Sequence, residues 1–76
     1  MKKVTIYTSP TCQHCINAKE FFKENKVEYE EKSIEDEANA KEAVEKSGQQ
    51  AVPIIDIEGK IIIGFDEDAV SKELGL

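Results

Sequence analysis

Apolar and polar positions along this chain follow two periods, and the period changes from one segment to the next. Residues 3–8 form a short apolar run with high β-propensity, which predicts a strand. Cys15, Ala18 and Phe22 then recur at i, i+3 and i+7, so they share one face of a helix. That helix is predicted to run from residue 12 or 13 to residue 25, with its apolar stripe facing the core.

A second strand and a second helix are predicted next. Residues 27–32 alternate apolar and charged side chains, which is typical of a half-exposed strand at the edge of a sheet. Residues 33–47 predict a helix, because negative charge is favourable in a first turn and this segment opens with Glu35, Asp36 and Glu37. Gly48 is expected to end that helix.

Two isoleucine-rich arms predict a β-hairpin over residues 50–65. The first arm carries Ile54, Ile55 and Ile57, and the second carries Ile61, Ile62 and Ile63. Between the arms, Gly59 is able to take the positive φ that a tight turn needs. Because the two arms are almost continuously apolar, we expect each arm to be buried on its two faces. Beyond Gly64, Asp66 is the predicted N-cap of a last helix.

The predicted element order is β-α-β-α-β-β-α, which places the chain in the α/β class. Two strands joined by a helix are expected to be parallel, with a right-handed crossover. The hairpin then extends the sheet in the antiparallel sense. We therefore predict a mixed four-stranded sheet covered by helices on both faces.

Length and charge further restrict the range of possible functions. A chain of 76 residues predicts one small domain, residues 1–76, with one modest core. The net charge is −6, all ten basic residues are lysines and no basic patch with interleaved aromatics appears, so we expect no nucleic-acid partner. The longest apolar run is too short to span a membrane. The stretch Met1-Lys2-Lys3 is basic but lacks the long apolar h-region of a signal peptide, so no secretory signal is predicted and the cytoplasm is the expected location.

Both cysteines of the chain lie in the motif Cys12-Gln13-His14-Cys15, at the junction of the first strand and the first helix. Two cysteines three residues apart in that context predict a redox-active dithiol. A zinc site is a weaker alternative, because no second pair of ligands exists. A purely structural disulfide is also weaker, since so short a loop constrains little of the unfolded chain.

The position of the two cysteines predicts unequal roles. At the first helical turn, the sulfur of Cys12 faces free backbone N–H groups and the positive end of the helix dipole. Both favour the thiolate, so the pKa of Cys12 is expected below that of a free cysteine. Cys15 lies one turn further along and is expected to be more buried. It would resolve the mixed disulfide that Cys12 forms with a substrate.

The dithiol at this junction, together with Val52-Pro53 just before a Gly-turned hairpin, resembles the glutaredoxin family of the thioredoxin fold. The resemblance covers essentially the whole chain. It implies that Pro53 is cis and lies against the dithiol, and that the backbone of Val52 pairs with a bound peptide or with glutathione. A cis X–Pro bond costs little, and an extended partner gains main-chain hydrogen bonds there.

Further substrate contacts follow from the same resemblance. It implies that Gly64, Asp66 and Glu67 hold the γ-glutamyl end of glutathione, and that Thr11 and Gln13 contact the substrate. Family members usually carry Lys or Arg where this chain has Ser9, and Cys-Pro-Tyr-Cys where it has Cys-Gln-His-Cys. The pair Gly64-Phe65 is similar to that of small redoxins that serve ribonucleotide reductase and take electrons from thioredoxin reductase.

His14 is expected to tune the pKa of Cys12. An imidazolium near Cys12 would stabilise its thiolate and hence the reduced protein, which raises the reduction potential. A strong periplasmic thiol oxidant is similar in carrying His before its second cysteine. The alternative is a solvated His14 whose charge is screened and has little effect.

These observations predict a cytoplasmic, glutaredoxin-like thiol–disulfide oxidoreductase. Cys12 and Cys15 would reduce disulfides of proteins or small molecules, and the expected state is a monomer. No bound cofactor or metal is expected; electrons would come from an external reductant, either glutathione or NADPH through a flavoprotein reductase. The alternative function is an iron–sulfur carrier in which Cys12 ligates a cluster across a dimer.

Overall fold

The predicted order of elements is confirmed by a computed structural model, which describes residues 3–76. Met1 and Lys2, which belong to the stretch used for the prediction about secretion, lie outside the described residues. The elements are β1 Val4–Thr8, α1 Gln13–Glu24, β2 Tyr29–Ser33, α2 Glu37–Ser47, β3 Ile54–Ile57, β4 Lys60–Ile63 and α3 Glu67–Leu74. Within the described chain, no helix is long and apolar enough to cross a membrane.

The four strands form one mixed sheet in the order β2-β1-β3-β4. β1 pairs with β2 in parallel, and the register places Ile6 opposite Glu31. On its other side β1 pairs with β3 antiparallel, with Ile6 opposite Ile55, and β3 continues antiparallel into β4. The predicted mixed sheet is therefore confirmed, as is the edge position of β2.

Helices cover both faces of the sheet, as predicted. On one face α1 and α3 meet the sheet in a cluster made of Val4, Ile6, Ala18, Phe22, Ile55, Ile57, Ile62 and Val70. On the other face α2 covers a smaller cluster of Tyr7, Ala43 and Ile54. The two central strands contribute to both clusters because successive side chains of a strand point to opposite faces.

The apolar stripe predicted for α1 is confirmed. Its buried residues are Cys15, Ala18 and Phe22. Cys12 is the N-cap of this helix and Asn25 the C-cap; the N–H of Asn25 donates to the carbonyl of Phe21, and the N–H of Lys26 donates to that of Lys23. Burial of this one stripe fixes the rotation of α1, and with it the direction in which each cysteine points.

The predicted start of α2 at residue 33 is wrong, because β2 extends to Ser33. The N–H of Ile34 still donates to the carbonyl oxygen of Thr8 at 2.8 Å, which continues the contact with β1. Asp36 then ends the intervening turn, since its side chain accepts a hydrogen bond from the N–H of Ala38 at 2.9 Å. Asp is a favoured N-cap, and here it outweighs the acidic pattern that suggested an earlier start.

The prediction that both hairpin arms are buried on both faces holds for β3 and is wrong for β4. β4 is an edge strand, and its Ile63 is 43% exposed whereas Ile62 is 8% exposed. The two-residue turn before it has positive φ at Glu58 and Gly59, as a tight hairpin of this kind requires. The carboxylate of Asp56 accepts a hydrogen bond from the N–H of Gly59 at 2.7 Å and holds the turn.

Candidate active site

Cys12 occupies the N-cap of α1, directly after the turn that leaves β1. Its backbone N–H donates to the carbonyl oxygen of Ser9 at 3.2 Å, which closes that turn. Its Sγ accepts a hydrogen bond from the N–H of Cys15 at 3.3 Å, in the place where a capping oxygen usually stands. The half-buried Cys12 is therefore accessible and held as an acceptor.

Cys15 lies behind Cys12 and is 1% exposed. Burial, followed by the adjacent Cys12 sulfur, raises the pKa of Cys15 to about 12. Both thiols are free in the structure. The predicted difference in exposure between the two cysteines is confirmed, and burial favours the protonated form of Cys15.

Three hydrogen-bonded polar side chains lie near Cys15, and the sequence did not predict them. The Nζ of Lys19 lies 2.9 Å from Oε2 of Glu31, and the hydroxyl of Thr8 donates to that same oxygen at 2.8 Å. The hydrogen bond from Lys19, with that from Thr8, holds the pKa of Glu31 below its usual range, while the bond to Glu31 raises the pKa of Lys19. A hydrogen bond with the backbone of Ser9 and, to a smaller extent, the positive charge of Lys19 oppose the rise that burial gives the pKa of Cys15.

The loop before β3 lies against the dithiol, as the resemblance implied. The Val52–Pro53 peptide bond is cis. The carbonyl oxygen of Val52 lies 3.9 Å from Sγ of Cys12, and Val52 is half-buried. The N–H of Gly64 donates to the carbonyl oxygen of Pro53 at 2.8 Å. Cys12, Val52, Pro53 and Gly64 are thereby brought together, although they come from three separate segments.

The start of α3 follows Gly64, and its acidic residues have separate surroundings. Asp66 is the N-cap, as predicted, and its Oδ1 accepts a hydrogen bond from the N–H of Ala69 at 3.2 Å. Glu67 is exposed and lines a shallow groove between α1 and α3 together with Phe21 and Phe65. The carboxylate of Asp66 therefore already has one partner within its own helix.

The remaining predicted site residues lie on the exposed side of the motif. Thr11, Gln13 and His14 are all exposed. The hydroxyls of Thr11 and Ser9 are 3.3 Å apart, and the amide of Gln13 donates to Asn17 at 3.1 Å. These three side chains neighbour the half-buried Cys12 along the chain.

Comparisons with known proteins agree on one family. The model of the family named Glutaredoxin matches residues 4–62. A glutaredoxin-like 8.6 kDa protein in the rubredoxin operon of Clostridium pasteurianum is 33% identical over 70 residues, which is 91% of this chain and 93% of the relative. Glutaredoxin 3 of Escherichia coli is 35% identical over 68 residues, or 88% and 82%. The crystal structure of a glutaredoxin from Archaeoglobus fulgidus, 26% identical, superposes with a TM-score of 0.85 over 97% of this chain and 87% of that one.

Proposed function

The chain belongs to the glutaredoxin family, and from that premise we propose that it is a thiol–disulfide oxidoreductase. It reduces disulfides of proteins or small molecules through Cys12 and Cys15. The observation that carries this proposal is the pairing of an accessible Cys12 sulfur with a buried Cys15 one helical turn away, whose N–H donates to that sulfur. An attacking thiol and a protected resolving thiol need this arrangement.

The reaction has two exchange steps. The Cys12 thiolate attacks one sulfur of the substrate disulfide, so that a bond forms to Cys12 while the other substrate sulfur leaves and takes up a proton. Cys15 then loses its proton and attacks Sγ of Cys12. The Cys12–Cys15 disulfide forms and the second substrate thiol is released. Two electrons and two protons pass to the substrate, and an external reductant restores the dithiol.

The second step should depend strongly on pH. Burial keeps the pKa of Cys15 raised, and a thiol below its pKa gains about tenfold in thiolate for each pH unit. With an aromatic disulfide that releases a coloured thiolate, we expect the slow second release to accelerate by about tenfold per unit between pH 6 and pH 8. Stopped-flow absorbance separates this release from the first one.

A pair of lysine variants tests whether the charge of Lys19 affects the second release. Lys19→Met should slow the second release and leave the first unchanged, because it removes the fixed charge that favours the Cys15 thiolate. Lys23→Met removes the same charge from the last turn of the same helix and should have little effect on either release. A second release that does not depend on pH would count against Cys15 as the resolving thiol, and equal slowing by both variants would count against a specific effect of Lys19.

The electron donor is proposed to be NADPH through a flavoprotein reductase in preference to glutathione. Ser9 has no charge to offer the carboxylate of glutathione; its carbonyl instead accepts from Cys12 and its hydroxyl is bonded to Thr11. The net charge of −6 also opposes an anionic tripeptide. Glutathione contacts at Val52, Gly64, Asp66 and Glu67 remain part of the proposal.

Ser9→Lys should raise the rate of turnover driven by glutathione. A charge-assisted hydrogen bond contributes about 1.5–3 kcal/mol, which corresponds to about a tenfold to hundredfold gain in kcat/KM. NADPH consumption with glutathione and glutathione reductase measures it. Glu24→Gln makes the same change in net charge at the far end of α1 and should give no gain. Efficient glutathione turnover by the original chain, with none from thioredoxin reductase, would refute the donor preference.

Two sequence-based expectations keep the status of predictions. His14 is exposed, and its effect on Cys12 stays a prediction. The alternative of an iron–sulfur cluster ligated by Cys12 across a dimer would appear as visible absorbance after anaerobic purification. The monomeric state, the cytoplasmic location and the absence of a bound cofactor are likewise part of the proposal.

A further inference from the structure

An apolar groove lies between α2 and the loop that precedes β3. Its volume is about 220 Å³. Its lining includes Ile34, Ala51 and Val52 on one side and Ala40 and Val44 of α2 on the other, with Gln49 and Gln50 as its polar members. Ile34 and Ala51 pack against the buried cluster of Tyr7, Ala43 and Ile54, so the floor of the groove is held by the core. The groove therefore exists before any ligand arrives.

The groove is adjacent to the reactive sulfur. Val52 connects the groove with the reactive sulfur. It lines the groove, and its carbonyl oxygen lies 3.9 Å from Sγ of Cys12. Cys12 caps α1, which covers one face of the sheet, whereas α2 covers the other face. A ligand that extends from Cys12 past Val52 thus reaches the face on which the groove opens.

An extended substrate segment paired with Val52 would direct its side chains towards the two faces of the sheet in turn. Successive side chains of an extended segment point to opposite sides. When the substrate cysteine points towards Cys12, on the side of α1, the residue next to it points towards α2. Because the groove is the apolar space on that side, the neighbour of the substrate cysteine is the group that meets it.

We propose that this groove receives an apolar side chain directly next to the reacting cysteine of a protein or peptide disulfide. This inference rests on the proposed function and names its substrate class. Glutathione cannot fill the groove, because one neighbour of its cysteine is glycine and the other is a γ-linked glutamate with a charged carboxylate. A neighbouring hollow along α2 is lined by Glu37 and Glu45 on either side of Lys41, so this side of the helix carries a net negative charge that opposes an anionic ligand.

The test uses short blocked peptides that form symmetrical disulfides and differ only beside the cysteine. The series is Leu-Cys-Gly, Gly-Cys-Leu and Gly-Cys-Gly, so both chain directions are covered. Prereduced protein is mixed with each disulfide, and the rate of Cys12–Cys15 oxidation is followed by quenching and mass spectrometry. We expect one leucine peptide to react at least about tenfold faster than Gly-Cys-Gly, as is typical of filling an apolar pocket.

Two variants assign that advantage to the groove. Ala40→Leu fills the groove, and Val44→Thr makes its wall polar with almost no change in shape; each should reduce the ratio of leucine to glycine rates to about one or two. Ala38→Leu makes the same change as the first variant at an exposed position of α2 and should keep the ratio. Circular dichroism verifies folding, and Val44→Thr carries the test if Ala40→Leu is unfolded.

The possible failures are distinguishable. Equal rates for all three peptides, or a leucine advantage that survives in both groove variants, would overturn the groove proposal and leave the proposed function intact. If no peptide disulfide oxidises the wild-type dithiol, the proposed function itself fails.

Discussion

Cys15→Ser should trap the substrate on Cys12, whereas Cys12→Ser should abolish disulfide reduction. Cys12 is half-buried at the N-cap of α1, while Cys15 is 1% exposed and its pKa is raised to about 12. Without Cys15, the first exchange proceeds and the mixed disulfide has no internal thiol to release it. Without Cys12, the remaining thiol is buried and protonated, so we expect a loss of at least about a thousandfold in rate.

Intact-mass spectrometry and peptide mapping decide between these outcomes. The Cys15→Ser protein should gain the mass of one substrate thiol less two hydrogen atoms, located on Cys12. The double variant Cys12→Ser/Cys15→Ser gives the background of the assay. Trapping on Cys15 in the Cys12→Ser protein, as efficient as trapping on Cys12 in the other variant, would sink the assignment of roles.

Phe22→Ala should remove most of the stability of the fold. Phe22 is 0% exposed, and its ring centroid lies 5.4 Å from that of Tyr29 and 6.0 Å from that of Phe21. Truncation of a buried Phe costs about 3–5 kcal/mol, while small domains have a total free energy of unfolding at the low end of about 5–15 kcal/mol. The expected fall in Tm is at least about 12 °C.

Urea and thermal unfolding followed by circular dichroism measure this effect. Ile16→Ala on the same helix is the matched control, because Ile16 is 39% exposed and its truncation removes little buried surface. We expect the control to change the free energy of unfolding by less than about 1 kcal/mol. Equal unfolding midpoints for Phe22→Ala and the original chain would show that α1 is not held by this stripe.

Local patterns were sufficient for most of the fold. The apolar stripe of α1 was visible because its positions repeat with the helical period, and the burial of Cys15, Ala18 and Phe22 confirms it. The start of α2 was not predictable from acidic residues alone, since Asp36 acts as a cap while β2 still pairs through Ser33. The exposure of Ile63 depends on its place at the sheet edge, which apolar composition does not reveal.

Some features of the site were predictable from the sequence and others were not. The dithiol and its junction were predictable, because the spacing of Cys12 and Cys15 is local. The chain from Thr8 through Glu31 to Lys19 was not, since it joins β1, β2 and α1 through the sheet register. The groove was also invisible, because alanines at positions 40 and 43 resemble ordinary helix formers until the loop at Ala51 is placed against them.

The central claim is that Cys12 and Cys15 together pass two electrons to a disulfide. One exchange between prereduced protein, freed of reductant, and a peptide disulfide tests it most directly, because the identity of the natural donor does not matter. Intact-mass spectrometry follows both reactants. We predict that the protein loses two hydrogen atoms as the Cys12–Cys15 bond forms and that the peptide gains two, in equal amounts. A protein that keeps both thiols while the peptide disulfide stays intact would contradict the account.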